Sequence, residues 1–121
     1  MAWKLDSDRP IYSQLVEQIE MLIVSGSYPP GSKLPSVREL AAQAGVNPNT
    51  MQKTFSELEQ SGLIVTQRTA GRFVTGDELL IKQIRTRIAR THLKDFFTKM
   101  EQLGYEKNDI LSLVMAGNEE E

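Results

Sequence analysis

The sequence predicts a mainly α-helical fold with one small β-hairpin, and three observations lead there. Apolar residues recur at helical spacing over residues 11–25 and again over 77–103. Between these stretches lie two shorter helical segments, each opened by capping chemistry and closed by glycine. Two β-prone runs, 63–66 and 73–74, flank a polar, glycine-containing turn.

Residues 11–25 form the first expected helix. Ile11, Leu15, Ile19, Leu22 and Ile23 make one apolar face. Pro10 suits a first helical position, where its missing N–H costs nothing, and Asp8 is the better cap of the two residues before it. Gly26 ends the helix. The loop GSYPPGSKLP over 26–35 is too rich in proline and glycine for regular structure, with Tyr28 and Leu34 expected to pin it to the core.

Ser36-Val37-Arg38-Glu39 is a capping box, a serine cap with glutamate three residues on. It opens a helix over 37–44 with Val37, Leu40, Ala41 and Ala44 on one side, stopped by Gly45. Asn47 then caps, and Pro48 begins, a helix over 48–61 whose buried stripe is Met51, Phe55 and Leu58. A short helix, a tight glycine-containing turn and a longer helix make a helix-turn-helix. The hairpin that follows, LIVT at 63–66 and Phe73-Val74 around Gln67–Arg72, adds a wing.

Residues 77–103 form a long helix capped by Asp77, with Leu80, Ile81, Ile84, Ile88, Phe96, Met100 and Leu103 in register. Gly104 ends it, and Asn108 or Asp109 caps a last short helix carrying Ile110, Leu111, Val114 and Met115. The tail 117–121 is expected to fray. The chain therefore divides into a winged helix-turn-helix over 1–76 and a helical dimerisation or effector region over 77–121.

Bulk properties limit the function classes. The 121 residues are near the commonest size for one domain, and 40% hydrophobic with 25% charged residues allows a packed core. The absence of cysteine excludes disulfides, thiolate metal sites and thiol nucleophiles. The start MAWKLDSDRP has no signal-peptide core and no stretch is long and apolar enough to span a bilayer, so a cytoplasmic location with no membrane partner is expected. No glycine-rich phosphate loop or Ser/His/Asp signature supports an enzyme, and no cofactor or metal is expected. His92 has no companion ligands and is expected to be a partly buried packing residue.

The net charge of −2 is not the footprint of a nucleic-acid binder, but its distribution matters more. Over 33–76, Lys33, Arg38, Lys53, Arg68 and Arg72 outnumber Glu39, Glu57 and Glu59, while both flanking segments are net acidic.

Leu34-Pro35-Ser36-Val37-Arg38-Glu39-Leu40 resembles the signature with which GntR-family regulators begin their helix-turn-helix. Gly45-Val46-Asn47-Pro48-Asn49-Thr50-Met51 resembles the YtrA-like branch, and Ser61-Gly62-Leu63-Ile64 with Gly71-Arg72-Phe73-Val74 resembles the end of the family's wing. The resemblance covers about 8–76, and the short two-helix remainder also fits that branch. It implies a homodimer on a near-palindromic operator in double-stranded DNA, usually as a repressor, and suggests control of a transporter operon. Carried over by position, it places DNA contacts on Ser36 and Arg38, on Asn47, Asn49, Thr50, Gln52 and Lys53, and on Arg68, Gly71 and Arg72. The sequence departs from many relatives at Pro48 and Gln52, where arginines are frequent, and at Thr69, where the wing often has glycine.

The chemistry of these residues admits both contact and bland roles. The Arg38 fork suits phosphate or guanine, and is equally a solvated helix charge. Asn49 and Gln52 can bond adenine bidentately and the Thr50 methyl can meet thymine, or all can be ordinary exposed polar groups. Ser36 and Asn47 are caps first, with phosphate contact as a second role. Arg68 and Arg72 bracket a turn able to reach a minor groove or phosphates, though hairpin-tip arginines also solubilise; Gly71 supplies turn geometry. On the long helix, Ile84, Ile88, Phe96 and Met100 are expected to pair with a second copy, since the attached domain is too small to cover both faces. An unidentified small-molecule effector would bind at that interface, or regulation would run through abundance alone. Two other classes stand beside this reading: a winged-helix protein-interaction module that binds no operator, and a piece of a relative carrying a large aminotransferase-like domain.

Overall fold

The computed structural model describes residues 3–117, which divide into two compact units, one up to Ile84 and one from Arg85 onward. The expected frayed tail lies, from residue 118 onward, outside the described residues.

The first unit opens with α1, Ile11–Val24. Its start differs from the sequence expectation. Pro10 is itself the N-cap, with no side-chain cap, and Asp8 takes no part. The buried amide of Gln14 sets the entry instead. It accepts the Asp6 N–H at 2.6 Å and donates to the carbonyls of Asp6 at 2.7 Å and Arg9 at 3.1 Å. Gln18 extends the tether by donating to the Lys4 carbonyl at 2.6 Å.

The helix-turn-helix follows as α2, Val37–Ala44, and α3, Pro48–Gln60. The Ser36/Glu39 capping box is formed in both directions at 3.1 Å. Gly45 closes α2 in the left-handed conformation at φ +70°, where a side chain would be strained. Asn47 Oδ1 accepts the Asn49 N–H at 2.7 Å, and Pro48 takes the first helical position.

The wing pairs β1, Ile64–Gln67, with β2, Gly71–Val74, in antiparallel register from Ile64 opposite Val74 to Gln67 opposite Gly71. The Ala70 N–H closes the turn on the Gln67 carbonyl at 3.1 Å. Only Gly71 there has positive φ, at +108°, so the turn forms without a glycine at Thr69. The loop before α2 lies along the outer edge of β2, with a bridge between Lys33 and Phe73.

The core joins all these elements. Leu15, Ile19 and Ile23 from α1, Leu40 from α2, Met51, Phe55 and Leu58 from α3, and Leu34, Leu63, Ile64 and Val74 around the wing are nearly or wholly buried. α3 packs against α1, α2 and β1 and is the hub. Fully burying each such side chain is worth about 1.5–3 kcal/mol.

Helix α4, Glu78–Gln102, begins in this unit, where Asp77 Oδ1 caps the Leu80 N–H at 3.1 Å. Ile81 and Ile84 are buried in the single chain. Ile84, expected to pair with a second copy, is thus already covered within one chain.

The second unit holds the rest of α4, a turn at Gly104 with φ +99°, and α5, Lys107–Ala116. α5 starts two or three residues earlier than expected: Glu106 is the N-cap, and Asp109 is the return partner of its capping box, accepting the Glu106 N–H at 3.1 Å. Ile110 is fully buried, while Leu93, Phe96, Leu103, Leu111, Leu113, Val114 and Met115 are exposed. His92 is exposed too, contrary to expectation, because it faces out of α4 rather than into a packed layer.

Candidate nucleic-acid interface

The two faces of α3 divide its residues by chemistry. Met51, Thr54, Phe55 and Leu58 are buried, and Asn49, Gln52, Lys53 and Ser56 are exposed. A helix with 3.6 residues per turn forces this separation, so anchoring the apolar stripe presents a polar ridge to solvent. Thr50 is half-buried at the ridge's edge.

The ridge is partly organised. Lys53 Nζ lies 3.8 Å from the centre of the Tyr12 ring, a cation–π contact between α3 and the first turn of α1. Asn47 is occupied as the cap: its Oδ1 takes the Asn49 N–H and its carbonyl takes those of Thr50 at 3.0 Å and Met51 at 3.2 Å, while Pro48 has no N–H, so the first turn of α3 is satisfied within the chain.

Ser36 and Arg38 sit at the start of α2 and both are exposed. Ser36 is committed to the capping box. Glu39 is held below the usual carboxylate range, first by the Ser36 N–H, then by the Ser36 side chain and the charge of Lys33. It is therefore firmly anionic at neutral pH.

A notch of about 320 Å³ joins the start of α2 to the wing, lined among others by Lys33, Ser36, Glu39, Ala70, Gly71 and Arg72. This brings Ser36, Gly71 and Arg72 together, as the sequence reading requires of one surface. Lys33 was not singled out by that reading. Its Cε would lie 3.1 Å from a Cβ on Gly71, so the glycine leaves room for the lysine to cross β2.

The two wing arginines differ. Arg68 stands exposed in the turn. Arg72 is turned inward: its Nε lies 3.4 Å from Glu59 Oε1 and its guanidinium 5.4 Å from the centre of the Phe55 ring. Thr66 donates to the other Glu59 oxygen. Tyr12, Glu59 and Thr66 were missed because these links are tertiary, and no local pattern marks them. Among the described residues no cluster of acidic residues or histidine is placed to hold a metal ion, and no helix is long and apolar enough to cross a membrane.

Comparison with known proteins adds the remaining findings. The model of the bacterial regulatory proteins, gntR family, matches residues 11–74. The HTH-type transcriptional regulator YhcF of Bacillus subtilis, itself uncharacterized, is 39% identical over 108 residues, 89% of each chain. The HTH-type transcriptional repressor YtrA of the same organism is 46% identical over 69 residues, 57% of this chain and 53% of that protein. A solved structure of a GntR family transcriptional regulator from Listeria monocytogenes superposes with a TM-score of 0.85 at 40% identity, covering 92% of this chain and 97% of that one.

Proposed function

The chain belongs to the GntR family of DNA-binding transcription regulators and is not an enzyme, and from that premise we propose that it acts as a homodimeric repressor covering a near-palindromic operator. The observation that carries this reading is the polar ridge of Asn49, Gln52 and Lys53 on the face of α3 opposite its buried stripe. A helix presented this way enters a major groove with its N-terminal turns against base edges.

In this reading α3 is the recognition helix. Asn49 and Gln52 read bases, with adenine the favoured partner of both amides, and the Thr50 methyl adds apolar contact. Lys53, Arg38 and Arg68 contact phosphates, and the start of α2 after Ser36 and of α3 after Asn47 turn the positive ends of their helix dipoles toward backbone oxygens. Gly71 shapes the wing for its approach. The two copies place their recognition helices one DNA turn, about 34 Å, apart. The exposed apolar side chains of 85–117, Phe96 among them, support pairing with a second copy, since a single chain leaves them in water. Control of a transporter operon follows from the likeness to the YtrA branch alone.

The test is selection from random duplex DNA by the purified protein, followed by binding measured against salt. An enriched palindrome whose affinity falls steeply with salt is expected. A folded, dimeric protein that enriches nothing would overturn the reading and favour a protein-interaction module.

A further inference from the structure

Thr66 and Arg72 are cross-strand partners, and they form the rung next to the Gln67–Gly71 pair from which the turn springs. Both side chains close on one carboxylate. Thr66 Oγ1 donates to Glu59 Oε2, and Arg72 Nε donates to Glu59 Oε1 at 3.4 Å. Glu59 belongs to the last turn of α3, one turn beyond Phe55, and the Phe55 ring lies under the same guanidinium. The ion pair is about two-thirds removed from solvent on each side, at 27% and 31% exposure. One residue of α3 therefore grips both strands of the wing just below its tip.

We propose that Glu59 is a positioning residue that fixes the angle of the wing against the recognition helix, and that Arg72 acts through Glu59 instead of touching DNA. The inference rests on the DNA reading above. A two-stranded hairpin has little stability of its own. Here the loop before α2 holds the outer edge of β2, with the Leu34 N–H donating to the Arg72 carbonyl at 2.9 Å and the Val74 N–H to the Ser32 carbonyl at 2.8 Å. Those bonds tie one strand to a loop, whereas the Glu59 contacts tie both strands to α3, and so set the angle at which Arg68 is delivered beside that helix. The charge of Arg72 is already balanced by Glu59, so it displaces no counterion from a phosphate, whereas Arg68 does.

The experiment uses the full chain in two parts. Without DNA, amide exchange is followed at residues 64–67 and 71–74, with α1 amides as internal reference. Thr66→Val, which alters no charge, and Glu59→Gln, which keeps the shape of the side chain, should both speed exchange in the hairpin and leave α1 unchanged. With a duplex recovered by the selection, Arg68→Ala should flatten the slope of log K against log salt by about 0.9. Arg72→Ala should weaken binding about three- to tenfold with the slope unchanged. The cost of Arg68→Ala should shrink in the Thr66→Val and Glu59→Gln backgrounds, a coupling that a general loss of stability would not produce. Arg72→Ala flattening the slope as Arg68→Ala does would overturn the proposal, as would independent effects in the double variants. If no duplex is enriched, the operator reading fails by itself and the exchange measurement decides the clasp: unchanged hairpin exchange overturns it.

Discussion

Glu39 closes the α2 capping box, and its carboxyl lies below its ordinary value of 4.5 because the Ser36 N–H, the Ser36 side chain and Lys33 all favour the anion. In the unfolded chain those partners are gone. The stabilisation is thus complete above the unfolded value and disappears as pH falls through the lower, folded one. Between neutral pH and about pH 3, wild type should lose protection at the first α2 amides, while Glu39→Gln shows a weaker and pH-independent cap. A second residue-scale expectation concerns Lys53. A free lysine side chain carries about 2 kcal/mol of rotamer entropy, and stacking on Tyr12 restricts it before DNA arrives. Tyr12→Leu should weaken operator binding about two- to fivefold and Tyr12→Phe should not. Equilibrium binding of the double variant checks it: in a Lys53→Ala background the Tyr12→Leu loss should vanish, and a loss that persists would assign Tyr12 to the core instead. The sequence showed which residues are charged or able to cap. It was silent on Tyr12 under Lys53 and on Glu59 under Arg72, because partners 41 and 13 positions apart are chosen by packing.

At the scale of elements, local chemistry was a good guide where a cap and its helix are neighbours in sequence. The Ser36/Glu39 box, the Asn47-Pro48 start and the Asp77 cap were all legible for that reason. The start of α1 was not. Its entry is governed by Gln14, a buried side chain reaching back to Asp6, which overrides the capping preference of Asp8. α5 begins at an unexpected Glu106, whose own N–H is taken by the Asp109 carboxylate three residues on. The hub position of α3 gives the element-scale prediction. Phe55 is fully buried where α3 packs, and it also lies under Arg72. Phe55→Ala should destabilise the winged unit by about 3–5 kcal/mol in urea unfolding, with a smaller loss pointing to collapse of the site around the cavity.

For the whole molecule, the arrangement of helix, helix-turn-helix, hairpin and two further helices was readable from periodicity and glycines. The seam of the proposed dimer was not, since one helical stripe can serve core and partner alike: Ile84 is buried within one chain, Ile88 and Met100 are half-buried, and Phe96 stays exposed. Phe96→Glu should shift the protein toward monomer in sedimentation equilibrium while the melting of the winged unit stays close to wild type. An unchanged dimer would move the seam to another face. The interleaving of buried and exposed positions along α3 has a further consequence, for how such regulators diversify. Residues 51, 54, 55 and 58 are buried and hold the fold, and 49, 52, 53 and 56 are exposed, with Lys53 touching it through Tyr12. Duplicated copies can therefore acquire new binding preferences by drift in the second set without crossing a stability threshold, and a designer can graft the second set of one relative onto another as a retargeting cassette.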